Sequence, residues 1–200
     1  LAAWGINGNT AANNTHFIGT IDNQPVRFRI NNIWAGELHP QTGNVFLGLN
    51  NGLSNTTAFS NIAIGNAALK SNTYAHNLVA IGDSSLFNNG VGATLPGDGN
   101  ANTAIGSKVL YANTIGGLNT GVVTIALTSN TTGNFNTSIG VNSMKTNTIG
   151  SSNTAIGVND LSSNISGNYN TATVQGALTY NNSGAHNTDS DTDARFTNFT

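Results

Sequence analysis

Side chains capable of acid–base or metal chemistry are few in this chain, and their spacing decides what they could do. His16, His39, His76 and His186 are scattered, and none falls in an HExxH or comparable metal-ligand spacing. Glu37 is the only glutamate, so no Glu pair is available for general acid–base work. Asp189, Asp191 and Asp193 alternate in DSDTD, a pattern able to offer carboxylates to calcium. The glycine and closing glutamate of an EF-hand loop are missing there, and the simpler reading is that acidic residues deter further stacking at an exposed edge. There is no cysteine, which removes disulfides, zinc-thiolate sites and thiol catalysis. These residues predict no catalysis, no cofactor and no metal centre.

The remaining composition points away from several partners. Charged residues make up 7% of the 200 positions, against about a quarter in ordinary domains, while 35 are Asn and 24 are Gly. A net charge of −2 supplies no basic field for nucleic acid or an anionic membrane. The aromatic residues Phe87, Tyr111, Phe135 and Tyr169 lack cationic neighbours in the repeat, so a base-stacking platform is not expected. No apolar run reaches the roughly 20 residues needed to cross a bilayer. The chain starts at Leu1 with neither an initiator Met nor a signal-peptide pattern, and reads as a processed product or a piece of something longer.

What must position these side chains is a repeat. Asparagine recurs every 17 residues in two files. The first comprises Asn44, Asn61, Asn102, Asn119, Asn136, Asn153, Asn170 and Asn187, with Leu78 in the one missing slot. The second comprises Asn55, Asn72, Asn89, Asn113, Asn130, Asn147, Asn164 and Asn181. The step from Asn89 to Asn113 is 24, so seven extra residues form a loop within about 90–101. A fixed period of this length predicts one solenoid coil per repeat.

Aligned on NTAIG, each repeat carries a short strand, a Gly turn and a leucine. Thr, Ile and Val suit the strand, and Gly48, Gly65, Gly82, Gly106, Gly140 and Gly157 let the backbone turn sharply; Val123 and Val174 are the exceptions. Alternation along N-T-A-I is read here as placing Thr and Ile on opposite sides of the strand. Two columns are apolar: Ile64, Ile81, Ile105, Ile139 and Ile156, and Leu69, Leu86, Leu110, Leu127, Leu161 and Leu178. Both are expected to form the core. A further Gly column (Gly116, Gly133, Gly150, Gly167, Gly184) marks another corner. Parallel strands stack about 4.8 Å apart, so the Asn amides can bond one above another along the axis. Like charges at that spacing would repel, which accounts for the neutral surface.

One or two aliphatic side chains per coil contribute only a few kcal/mol, at about 2 kcal/mol each. Ordering each residue costs about 1 kcal/mol or more. The imbalance predicts that the Ile and Leu columns are shared between chains near a common axis.

NIAIGNAAL (Asn61 to Leu69), NTAIGSKVLYANT (Asn102 to Thr114), NTSIGVNSM and NTAIGVNDL resemble the head repeats of trimeric autotransporter adhesins. The likeness covers residues 44–187 and implies a left-handed parallel β-roll assembled as a homotrimer. WGINGNT and HFIGTIDNQPVRFRINNIWAGEL resemble modules that precede such repeats in Bacteroidetes surface proteins and phage-type tail fibres. Some of those end in a self-cleaving trimerisation chaperone, and nothing here looks like one.

Three parts are therefore expected. Residues 1–43 form an N-terminal β capping or joint module, with a ligand-binding head as the alternative; VRFRI (Val26 to Ile30) reads as a strand after the turn DNQP. Arg27 and Arg29 share one face and are expected to be solvated or salt-bridged between chains with Glu37 or Asp22. Residues 44–187 form the array. Residues 188–200 lead toward a further element containing Phe196 and Phe199. The functional expectation is an extracellular homotrimeric fibre segment for attachment to a glycan or protein receptor, without membrane insertion. The alternative is a monomeric ice-binding solenoid presenting Thr103, Thr120, Thr137, Thr154, Thr171 and Thr188. Thr pairs occur only at Thr56–Thr57 and Thr131–Thr132, which argues against a regular two-file ice face.

Overall fold

The computed structural model describes residues 19–191; Trp4, His16, Asp193, Phe196 and Phe199 lie outside that span. Eleven short strands form one sheet in chain order. β1 (Val26–Ile30) and β2 (Ile33–His39) make an antiparallel hairpin, and β2 pairs antiparallel with β3 (Asn44–Leu47). From β3 onward every pairing is parallel, through β4 (Ile62–Ile64), β5 (Val79–Ile81), β6 (Thr103–Ile105), β7 (Thr120–Val122), β8 (Thr137–Ile139), β9 (Thr154–Ile156), β10 (Thr171–Ala172) and β11 (Thr188–Asp189). Register keeps equivalent residues in line: Thr137 pairs with Thr154 and Ile139 with Ile156. The molecule is an all-β solenoid of about nine turns with coils of about 17 residues.

The core differs from expectation in which residues enter it. Residues two apart on a strand share a face, so in T-A-I the Thr and Ile both project outward and the central Ala projects inward. Ala63, Ala80, Ala104, Ala155 and Ala172 are fully buried. Ile64, Ile105, Ile139 and Ile156 are 38–43% exposed, and Ile81 is half-buried. Within one chain the Ile column is therefore not core, and Thr and Ile do not lie on opposite sides. The Leu column is core: Leu69, Leu86, Leu110, Leu127, Met144, Leu161 and Leu178 are sealed inside the coil. Burial within each coil removes those leucines from any axis shared between chains.

These leucines reach the interior from a left-handed backbone, with φ from 47° to 51° across the column. That conformation costs a non-glycine residue about 1–2 kcal/mol, less than the about 2–5 kcal/mol that a buried leucine supplies relative to alanine. The interior adjusts coil by coil. In the first coil Phe46 takes the Ala slot and Gly52 the Leu slot; a Cβ on Gly52 would lie 2.5 Å from the Phe46 ring. Val109 projects toward Gly121, where a Cβ would sit 2.4 Å from its Cγ1. Each swap conserves volume, as a close-packed interior requires.

Candidate interaction surface and the amide ladders

The two Asn files form amide ladders over part of their length, and these run inside the coil. In the second file, from Asn113 onward, Nδ2 of each Asn donates to Oδ1 of the coil before it: Asn113 to Asn89 (2.8 Å), Asn130 to Asn113 (2.8 Å), Asn147 to Asn130 (2.9 Å), Asn164 to Asn147 (2.7 Å) and Asn181 to Asn164 (3.1 Å). In the first file Asn136, Asn153, Asn170 and Asn187 each donate to the preceding Asn in the same way. The Oδ1 atoms of that file also accept the backbone N–H of the next coil, as Asn44 does from Asn61 at 2.9 Å. Leu78 interrupts this file, so Asn102 turns sideways and donates to Asn89 Oδ1 at 3.1 Å.

One carbonyl per coil joins the files. Gly116 O accepts Nδ2 of both Asn102 and Asn113 at 2.8 Å, and Gly133, Gly150, Gly167 and Gly184 repeat the arrangement. The glycine at this node is required for space. A Cβ on Gly150 would lie 2.3 Å from Asn147 Oδ1 and 2.8 Å from Asn164 Nδ2, the two atoms of one rung. Ala58 and Ala75 occupy the node in the first two coils. There the rungs from Asn72 to Asn55 and from Asn89 to Asn72 are missing, and Asn55 Oδ1 and Asn72 Oδ1 are buried without a partner among the described residues. From Asn89 to Asn164, each Oδ1 beside a Gly node accepts a rung from the next coil. The two beside an Ala node accept none.

The outer strand face carries an aliphatic stripe. Leu47, Ile64, Ile81, Ile105, Val122, Ile139 and Ile156 follow one another on successive strands. Beside them runs a half-exposed file of Val45, Ile62 and Val79, continued by Thr103, Thr120, Thr137, Thr154 and Thr171. Elsewhere, aromatic rings stack between coils: Phe59 on His76, Phe87 on Tyr111 and Tyr169 on His186. His76 and His186 are thus surface stacking partners. Lys70 Nζ lies 5.3 Å from the Phe87 ring, so that aromatic does have a cation beside it, supplied by the preceding coil.

The cap hairpin sits over the first coil and leaves a cleft of about 360 Å³. Its walls are Arg27, Arg29, Trp34, Glu37 and His39 from the hairpin, Thr42 from the turn, and Gly52, Leu53, Asn55 and Thr56 from the coil. The hairpin is anchored by Trp34, whose Nε1 donates to Asn51 O at 2.9 Å. Arg27 Nε meets the buried Glu37 carboxylate of the same chain at 3.3 Å, so this pair forms within the hairpin rather than between chains. Among the described residues Arg29 donates to a backbone carbonyl, Asn32 O, at 3.2 Å. Thr42 Oγ1 and Asn55 Oδ1 both belong to cleft residues and are buried without a partner among the described residues.

At the other end, Asp189 takes the inward Ala slot and is buried. Its Oδ1 accepts Asp191 N at 3.0 Å and its Oδ2 accepts Leu178 N at 3.3 Å. No group of three His, Asp or Glu residues among the described residues is placed to hold a metal, and Asp193 lies outside them. Asp160 fills the interior column otherwise held by Asn51, Ala68, Ser85, Val109, Ala126, Ser143 and Ala177. Desolvation raises its pKa from 3.8 to about 6, with a further push from Asp189. The N–H groups of Gly176 and Ala177 favour the charged form, yet both already donate to carbonyls, and neither Asp160 oxygen reaches hydrogen-bonding geometry.

Among the described residues no helix is long and apolar enough to span a membrane. Comparison with family models, curated proteins and solved structures finds no match to this chain.

Proposed function

We propose that this chain is a segment of a homotrimeric extracellular fibre that mediates attachment. The observation that carries the reading is the aliphatic stripe from Leu47 to Ile156, continuous over seven coils on a sheet face whose interior is already filled by Ala and Leu. At about 4.8 Å per coil the stripe is about 29 Å long. A contiguous exposed apolar strip of that kind marks a surface that another molecule covers. A second and third copy supply matching stripes with the same repeat, so three Ile columns close around one axis and the polar remainder of each coil faces outward. Three identical outer faces then add weak receptor contacts through avidity. No catalytic constellation is assigned to the chain.

Light scattering tests this directly: the reading expects three times the chain mass, and a folded monomer overturns it. Ile139→Asp, which places three carboxylates around the axis, should dissociate the trimer while leaving each coil folded.

Ice binding is the second reading. The specific observation favouring it is that Thr and Ile share one flat face in strict register, which makes a regular Thr-x-Ile array. A folded monomer showing thermal hysteresis would establish it over the fibre reading.

A further inference from the structure

We infer that the exposed rings of Phe135 and Tyr169 flank a seat for one neutral, β-glucose-type pyranose ring, with Ser152 as its floor. The inference deepens the attachment reading by naming a ligand class, and rests on that reading only for its biological purpose.

These residues share one column. Leu118, Phe135, Ser152, Tyr169 and His186 recur every 17 residues at the corner before the strand, each in left-handed backbone with φ from 57° to 59°. Backbone bonds hold the corners in register: Phe135 N donates to Gly117 O, Ser152 N to Asn134 O and Tyr169 N to Ser151 O. The side chains therefore succeed one another along the axis. Tyr169 and His186 show the spacing, with ring centroids 4.9 Å apart and planes within 9° of parallel. One face of Tyr169 is thus covered by His186, and the other is turned toward the Ser152 coil. Phe135 and Tyr169 are 61% and 60% exposed, while Ser152 between them is half-buried. The column is a stack with one ring missing. The fold does not demand aromatic residues here, since Ser60, Asn77 and Ala101 take the same corner with φ from 55° to 59°. A bulky residue in that conformation is unusual and calls for another reason.

Spacing and chemistry select the guest. Two coils separate Phe135 from Tyr169 by about 9.6 Å. A flat aromatic guest touching both rings at about 3.5–4.0 Å would need them only about 7–8 Å apart. A chair pyranose is thicker and fills the larger gap. Each of its faces meets an aromatic face, whose negative quadrupole attracts C–H hydrogens and repels hydroxyl oxygens. A pyranose with every substituent equatorial offers axial C–H bonds on both faces, as β-glucose does. The axial hydroxyl of galactose spoils one of them. Ser152 Oγ can donate to or accept from an equatorial hydroxyl. The five corners from Leu118 to His186, and the residues on either side of each, carry no Lys, Arg, Asp or Glu, so the seat suits a neutral sugar. Tyr169 comes two residues before Thr171, which places the seat beyond the Thr end of the strands and away from the Ile stripe. A trimer closed on that stripe holds one such seat per chain, which suits multivalent capture of a β-glucan-type polysaccharide.

The test titrates the full chain with methyl β-D-glucoside and, in parallel, methyl β-D-galactoside, following the ring signals of Phe135 and Tyr169 by NMR. The expected result is saturable shifts at both rings with glucoside, at least fivefold tighter than with galactoside. Tyr169→Ala, at an exposed position, should weaken glucoside binding tenfold or more. Ser152→Phe fills the seat with the chain's own ring, and should abolish binding while leaving the melting temperature unchanged. Equal binding of the two sugars, glucoside binding retained in Ser152→Phe, or no shift at either ring at high-millimolar glucoside would overturn the seat. Tighter binding of p-cresol than of glucoside would also overturn it, by assigning the gap to an aromatic side chain of a partner. Because a single chain forms the seat, the two readings separate. A trimer whose rings ignore glucoside removes the seat alone, and a monomer that binds it removes the fibre alone.

Discussion

The coils at the two ends of the array are built on the same plan and bonded differently. From Asn89 to Asn181 the second Asn file is a continuous chain of amide bonds of 2.7–3.1 Å. From Asn55 to Asn89 the same residues stand in the same column and no rung forms. One methyl group per coil accounts for the difference: Ala58 and Ala75 fill the space that the later coils leave open with Gly. The lesson is that an Asn column alone does not make a ladder. The ladder needs a second column of residues without a Cβ, three positions further along the chain from Asn113 onward and ten further, across the loop, at Asn89.

The sharpest way to break the comparison is to put the early residue into the late array. Gly150→Ala places a Cβ 2.3 Å from Asn147 Oδ1 and 2.5 Å from Gly167 O. It should open the rung to Asn164, leave buried amide groups unpaired and cost about 3–5 kcal/mol, read by chemical denaturation.

A second contrast lies within the late half, between neutral and ionisable residues of one interior column. Asp160 has a folded pKa raised above its unfolded value, so the folded state holds its proton more tightly. Its contribution to stability is then most favourable below about pH 4, falls as the pH rises to about 6, and is constant above that. Asp160→Ala, which copies Ala126 and Ala177, should stabilise the fold at pH 7.5 by about 1–3 kcal/mol and flatten the profile between those pH values. A variant that retains the slope would place its origin elsewhere.

Smaller effects sharpen the same comparison. Asn147→Ala removes a residue bonded above, below and to the Gly150 node, and should cost about 2–3 kcal/mol. Asn72→Ala removes one bond, to Ala75 O, and an already unpaired oxygen, so about 1 kcal/mol is expected. Equal losses in thermal unfolding would count against the ladder as the distinction. Ala75→Gly should be nearly neutral, within about 1 kcal/mol, because the rung gained offsets the chain entropy lost to glycine. Its signature is slower hydrogen exchange at the Asn89 side-chain amide.

Much of this was legible in the chain itself. The 17-residue spacing of Asn44, Asn61 and their successors set the coil, and VRFRI marked the first cap strand. The Ile column lies outside the core because Thr and Ile, two positions apart, share the outward face; the inward strand positions are Asn and Ala, and Ala is too small to announce itself as core. The leucines enter the core from left-handed backbone, which no period-2 or period-3.6 rule reports. The Gly column from Gly116 to Gly184 was visible as a corner, and the absence of Gly at Ala58 and Ala75 was the available signal that it did more. The cleft had no sequence signature, since its walls come from both sides of the boundary between the cap and the array.

The most direct test of the central claim is a crystal structure of the Gly150→Ala variant, read at the Asn164 Nδ2 to Asn147 Oδ1 distance, which is 2.7 Å in the parent chain. The account predicts a separation beyond hydrogen-bond reach, about 3.5 Å or more, with neighbouring rungs retained. A rung still closed at its parent length, beside a well-ordered methyl group at the substituted position, would contradict it.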